Sequence, residues 1–96
     1  MAAARGLEAG VLDFDESLIE AYAEDGAACP LLRLNHIDVT PVELRVGERR
    51  YRYERSYPIK GHGAVMPKFL KEQMDQGKQV LIVERVPRFY VYLGQG

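Results

Sequence analysis

Apolar and charged positions alternate through the middle of the chain. Val42-Glu43-Leu44-Arg45-Val46 has the period-two pattern of a half-buried strand, Gly47-Glu48 supplies a turn, and Arg50 to Tyr57 alternates back as its partner. Strict alternation puts Arg50, Arg52 and Glu54 on one face, and Tyr51, Tyr53, Arg55 and Tyr57 on the other. After Gly61-His62-Gly63 the period lengthens. Pro67 takes the place of a first helical residue, its ring pre-setting the backbone angle. Phe69, Leu70, Gln73 and Met74 then share a face, Lys68, Lys71, Glu72 and Asp75 turn to water, and Gly77 ends the helix. A last hairpin pairs residues 79–85 with 88–93 around Val86-Pro87. Residues 39–93 thus form a hairpin–helix–hairpin unit.

The first third shows a different pattern. Residues 1–12 look like a weakly ordered leader. Asp15 suits an N-cap, Phe14 and Ile19 are spaced as a hydrophobic staple, and Leu18, Ile19 and Tyr22 make a stripe. This predicts an acidic helix over 15–24, stopped by Gly26. Residues 27–30 read as a linker and Leu31 to Ile37 as a strand. The expected fold is therefore α+β: an N-terminal helix, then hairpin, short helix and hairpin, in one domain over 13–96. The final strand is apolar or aromatic on both faces, from Phe89 to Leu93, and so wants cover on both sides. That points to completion by a second chain, as an intertwined homodimer.

Composition narrows the class. At 96 residues, 47% apolar and 28% charged, the chain suits a single globular domain with a thin core. The longest apolar run, Val80 to Val83, is far too short to span a bilayer, and the N-terminus lacks the apolar core of a signal peptide. Cys29 is the one cysteine, which excludes an intrachain disulfide and fits a reducing, cytoplasmic setting. The net charge of −1 conceals an asymmetry: residues 1–29 hold seven acids and one base, residues 30–96 twelve bases and seven acids. A basic body suggests a polyanion partner or self-association; chance in a short chain explains it equally well.

Arg49, Arg50 and Arg52 form a basic ribbon, and guanidinium forks match phosphate oxygens while a two-stranded ribbon fits a major groove. The plainer account has arginines solvating an outer face over packed tyrosines. Gly61-His62-Gly63 before a helix could cradle an anion, but it matches no phosphate-loop pattern, and a bend linking strand to helix explains it better. His36, His62 and Cys29 show no metal-ligand spacing. Cys29 reads as a small buried residue rather than a nucleophile. Neither Ser17 nor Ser56 sits on a glycine-rich elbow. No cofactor and no catalytic residue is expected.

From Lys60 the chain runs Lys-Gly-His-Gly-Ala-Val-Met-Pro-Lys-Phe-Leu-Lys, then Gly77-Lys78, an alternating strand, a short turn and a closing apolar strand. This segment, residues 60–93, resembles the AbrB, SpoVT and MazE swapped-hairpin family. The resemblance implies an intertwined homodimer that exchanges hairpins and binds DNA as a transition-state regulator or antitoxin. It places DNA contacts at Lys60, His62 and Lys68.

The sequence thus favours a homodimeric nucleic-acid-binding regulator, with Arg49, Arg50, Arg52, Lys60 and Lys68 on phosphates and His62 as a loop contact. The runner-up is a non-enzymatic protein-interaction or scaffold protein in which Arg50 and Arg52 pair with acids. No membrane association is expected.

Overall fold

The computed structural model describes residues 7–37 and 40–95; side chains are described for 11–37 and 40–94. The elements in chain order are β1 (Leu7–Phe14), a single 3-10 turn (Glu16–Leu18), β2 (Glu20–Glu24), β3 (Ala27–Arg33), β4 (Thr40–Val46), β5 (Arg49–Pro58), α1 (Val65–Asp75), β6 (Val80–Arg85) and β7 (Arg88–Gln95). The strands join in one mixed sheet ordered β1-β4-β5-β7-β6-β3-β2. Pairs β1/β4 and β3/β6 are parallel, and the rest are antiparallel.

The expected α+β architecture with an N-terminal helix is corrected. Asp15 does cap, accepting from the Ser17 amide at 2.8 Å, but the turn it caps ends after one revolution, with Ile19 already extended. The sequence Glu20-Ala21-Tyr22-Ala23-Glu24 has period two and pairs with β3 in register Glu24↔Ala27. Asp25 and Gly26 both hold positive φ, 50° and 84°, as the two central residues of a type I′ hairpin turn require. Gly26 therefore serves a hairpin, not a helix stop, and residues 27–30 belong to a strand rather than a linker. Of the expected leader, residues 7–12 lie in β1, and residues 1–6 fall outside the described residues, as do Asp38 and Val39.

The intertwined dimer is also corrected as the way this sheet is completed. β7 is the middle strand of the seven, and one chain covers both its faces. Val91 packs with Leu31, Val80, Ile82 and the α1 residues Met66, Phe69 and Leu70. Tyr92, on the opposite face, packs with Leu32, Leu44, Val46, Leu81 and Val83. The run Val80 to Val83 feeds both clusters alternately, which is why it is continuously apolar. Each fully buried aliphatic side chain here contributes about 1.5–3 kcal/mol.

The second cluster has no covering helix, so the sheet must curl around it. A flat sheet of seven strands is roughly 29 Å wide, at about 4.8 Å per spacing. Its edges β1 and β2 are joined by the stretch from Phe14 to Glu20, six residues that reach roughly 21 Å at most. The edges therefore approach one another at this end, and the sheet forms an open barrel with α1 packed outside. Tyr92 braces the interior: its hydroxyl donates to the Pro41 carbonyl on β4 at 2.6 Å, reaching past β5.

Strict alternation in β5 breaks at a bulge between Tyr53 and Arg55. Tyr51 and Tyr53 face the barrel interior. Past the bulge, Arg55 and Tyr57 face outward to α1, with the Arg55 guanidinium 4.1 Å over the Phe69 ring and Tyr57 stacked obliquely on the same ring. No helix among the described residues is long and apolar enough to cross a membrane.

Candidate anion site at the β4–β5 turn

Hairpin register determines which charges meet outside the barrel. Across β4–β5, Arg45 lies opposite Arg50 and Glu43 opposite Arg52; across β1–β4, Asp13 lies opposite Arg45. Like charges directly opposed in a sheet destabilise it. The chain answers with two carboxylates. Asp13 holds the Arg45 guanidinium at 2.6 Å, while Glu43 takes Arg50 at 2.7 Å and Arg52 at 3.6 Å. The hydrogen bond from Arg45 holds the Asp13 carboxyl below the usual carboxylate range. These arginine side chains remain about half exposed, 48–58%. Pairs this exposed are screened by solvent and contribute little to stability.

Every other arginine among the described residues also has a partner in the chain. Arg33 meets Glu20 and Glu84, and Arg55 meets Glu54. Arg85 donates to the Ile37 carbonyl and the Thr40 hydroxyl, and Arg88 to Ser56. Arg49 differs: it makes no ion pair or side-chain hydrogen bond among the described residues. It sits where β5 begins, on a cleft of about 490 Å³ shared with Arg50, Lys78, Gln79, Gly77, Gly94 and Glu48. The cleft forms because the β4–β5 turn, the α1–β6 loop and the end of β7 converge. Gly77 has φ 82° and open space around it, so the loop carrying Lys78 turns tightly without a side chain filling the cleft. Arg49 and Lys78, with Arg50 held by Glu43, against Glu48 leave the cleft with a positive balance, which suits an anion of phosphate type.

The six residues singled out from the sequence fall into separate places. Arg49 and Arg50 line this cleft, and Arg52 continues from it on the outer face of β5. Lys60 lies near the opposite end of β5, beside Pro58 and Val86. Lys68 is exposed on α1, near Asp25 and Lys71. His62 turns inward, its side chain 6% exposed, with Nδ1 donating to the Gly63 carbonyl at 2.8 Å, Nε2 3.6 Å from Glu24, and its ring against Phe89. Two members of the basic site were not singled out. Arg45 was readable from the two-residue Gly47-Glu48 turn, whose register sets it opposite Arg50. Lys78 is 29 positions from Arg49 in sequence, and no local pattern links them.

Other chemistry is sparse among the described residues. No group of three His, Cys, Asp or Glu side chains that could hold a metal occurs there. Burial pushes the Cys29 thiol up to about 12. The Tyr22 phenol, also raised by burial, donates to Glu24. No protein-family model, curated protein or solved structure matches this chain.

Proposed function

We propose that the protein is a non-enzymatic nucleic-acid-binding regulator that takes a phosphodiester backbone at the β4–β5 turn. The observation that carries this reading is Arg49: it is the described arginine without a partner in the chain, and it shares its cleft with Arg50 and Lys78. The strand could then continue along Arg52 and Arg45. Their intrachain pairs are weak enough to be exchanged for phosphate at small cost. The lone cysteine and the absence of a disulfide support placing this activity in the cytoplasm. Labelled duplex DNA titrated at low salt should bind, and log K should fall linearly with log salt. R49E combined with K78E should remove the binding, and R49A alone should lower the salt slope by about 1. Undetectable binding at low salt, or full binding by the double variant, would overturn the reading.

A second reading, a protein-interaction module, is favoured by Arg50 and Arg52 sharing one carboxylate within their own hairpin. E43Q separates the two. It frees both arginines and should tighten DNA binding if they face phosphates, whereas a purely structural ion pair leaves affinity at zero in both proteins.

A further inference from the structure

The large apolar side chains at least half exposed among the described residues are Leu18 on the 3-10 turn, Val65 at the start of α1 and Val86 between β6 and β7. Leu18, 50% exposed, sits on the 3-10 turn after β1, an acidic lip that also carries Asp15 and Glu16, while Val11 and Leu12 lie on opposite faces of the strand leading into it. Val86, 68% exposed, belongs to a cleft of about 540 Å³ whose other walls are Pro58, Ile59, Lys60, Pro87 and Arg88. That cleft is apolar at its centre, holds two cations and has no acid among its lining residues. The Ile59 amide donates to the Pro87 carbonyl at 2.9 Å, which fixes its two walls together.

The two surfaces are complementary in both respects. The lip has an exposed leucine, Leu18, set among acids; the cleft has apolar side chains set between bases. Asp15 and Glu16 form no ion pair among the described residues, and the Lys60 ammonium has no partner there. They cannot meet within one chain. The lip is held at the Gly47 end of the barrel, where the Gly47 amide donates to the Phe14 carbonyl at 3.2 Å. The cleft is at the other end, where Pro58 pairs with Arg88. The ten residues of β5 separate them by roughly 33 Å.

We propose that the protein self-associates by seating the acidic lip of one copy, through Leu18 and its neighbours, in the Val86 cleft of another. The apolar contacts supply the affinity and the charges set the partner and orientation. Both charge sets belong to this chain, and its division into an acidic first third and a basic remainder follows the same line. The lip borders the anion cleft, since Glu16 and Arg49 line one pocket, so association is measured without nucleic acid and its outcome is independent of DNA binding.

Sedimentation velocity of the full chain over a wide concentration range tests it. The weight-average mass should rise above that of one chain at low salt, and the apparent dissociation constant should increase severalfold at high salt. L18D and V86D each place a charge on an exposed position, and each should weaken association by at least about tenfold. Circular dichroism matching the parent shows that both variants are folded, and K60E with R88E provides an independent cleft variant. The two single variants mixed together should form a heterodimer, because V86D keeps its lip and L18D keeps its cleft. A chain that stays monomeric at all concentrations overturns the proposal and leaves the cleft to a different partner. Association untouched by L18D and V86D, or variants that fail to complement each other, overturns it as well.

Discussion

Replacing Tyr92 by Phe isolates one bond at the centre of the fold. Tyr92 is fully buried in the middle strand, and its hydroxyl donates to the Pro41 carbonyl at 2.6 Å. Phenylalanine fills nearly the same volume, so no cavity term enters and the ring contact with Tyr53 is retained. What changes is the bond and the state of its acceptor. Pro41 is itself buried, so its carbonyl is left desolvated with its side-chain donor removed. An orphaned buried polar group costs about 1–3 kcal/mol, more than the roughly 1 kcal/mol of an average exchanged hydrogen bond. For a domain of this size that corresponds to a fall in melting temperature of about 4–24 °C. Urea unfolding should show a lower midpoint with an unchanged slope, because the surface exposed on unfolding is the same. The pH dependence provides a second check. Burial raises the Tyr92 phenol well above its ordinary value of 10.0. The unfolded chain therefore loses this proton first as pH rises past about 10, so the stability linked to the neutral phenol is intact below that pH and declines above it toward the raised folded value. Y92F has no such proton, and its deficit against the parent should shrink above pH 10. A difference below about 0.3 kcal/mol at neutral pH would mean that the carbonyl is solvated and that the brace across the barrel is not a stabilising contact.

Three further outcomes follow from local geometry. Cys29, with its thiol pushed up to about 12 from 9.0, should react with iodoacetamide at pH 8 about a thousandfold more slowly in the folded protein than in urea, as followed by intact mass; equal rates would refute its burial. Gly47 has φ 62°, and a Cβ there would overlap the Glu16 carboxylate, so G47A should destabilise by about 1–2 kcal/mol from backbone strain alone, with the displaced Glu16 adding to it in chemical denaturation. Asp13, whose carboxyl is lowered by Arg45, gives a contribution that is present above the ordinary carboxylate pKa and lost as pH falls through the depressed folded value; D13N should therefore flatten the acid limb of a stability–pH curve, and an unaltered limb would show that the pair is not formed in solution.

The parts of the fold that were legible are those whose period is enforced by a neighbour close in sequence. Residues 42–46 and 50–57 alternate around a two-residue turn, and the helix face of Phe69, Leu70 and Gln73 recurs at three to four positions against the sheet. The N-terminal misreading has a definite cause. Residues 15–24 contain a true cap at Asp15 and a few residues at helical spacing, while the stronger signal is Asp25-Gly26, a two-residue I′ turn between short alternating runs. Apolar alternation was hidden because Ala21 and Ala23 on the exposed face are themselves apolar. The two-sided apolar character of β7 demands cover on both faces. What supplies it is not legible locally, because the pairings that place β7 in the middle, with β5 on one side and β6 on the other, depend on closing the sheet through the distant β3 and β1.

The same distinction between local and distant order governs the site. Arg49, Arg50 and Arg52 stand out as a run, yet their surroundings are decided by residues far away in sequence: Glu43 across the hairpin, Asp13 through β1, Lys78 through the α1–β6 loop. A run of arginines therefore divides by context. Arg50 and Arg52 are partly neutralised, while Arg49, only one residue away, has no ion pair among the described residues and lines a cleft whose acid, Glu48, is outnumbered. Cations in a concave wall raise the local concentration of a polyanion more than the same number spread over a convex surface, because low-dielectric walls focus the field. Lys60 and Lys68, on other faces, cannot join that field at physiological ionic strength, where screening acts over about 8 Å. Charge reversal at Lys60 or Lys68 should accordingly leave DNA affinity within about twofold of the parent at that salt, while the same change at Arg49 should not. A loss at Lys68 equal to that at Arg49, measured in the same titration, would move the binding surface onto the face of α1.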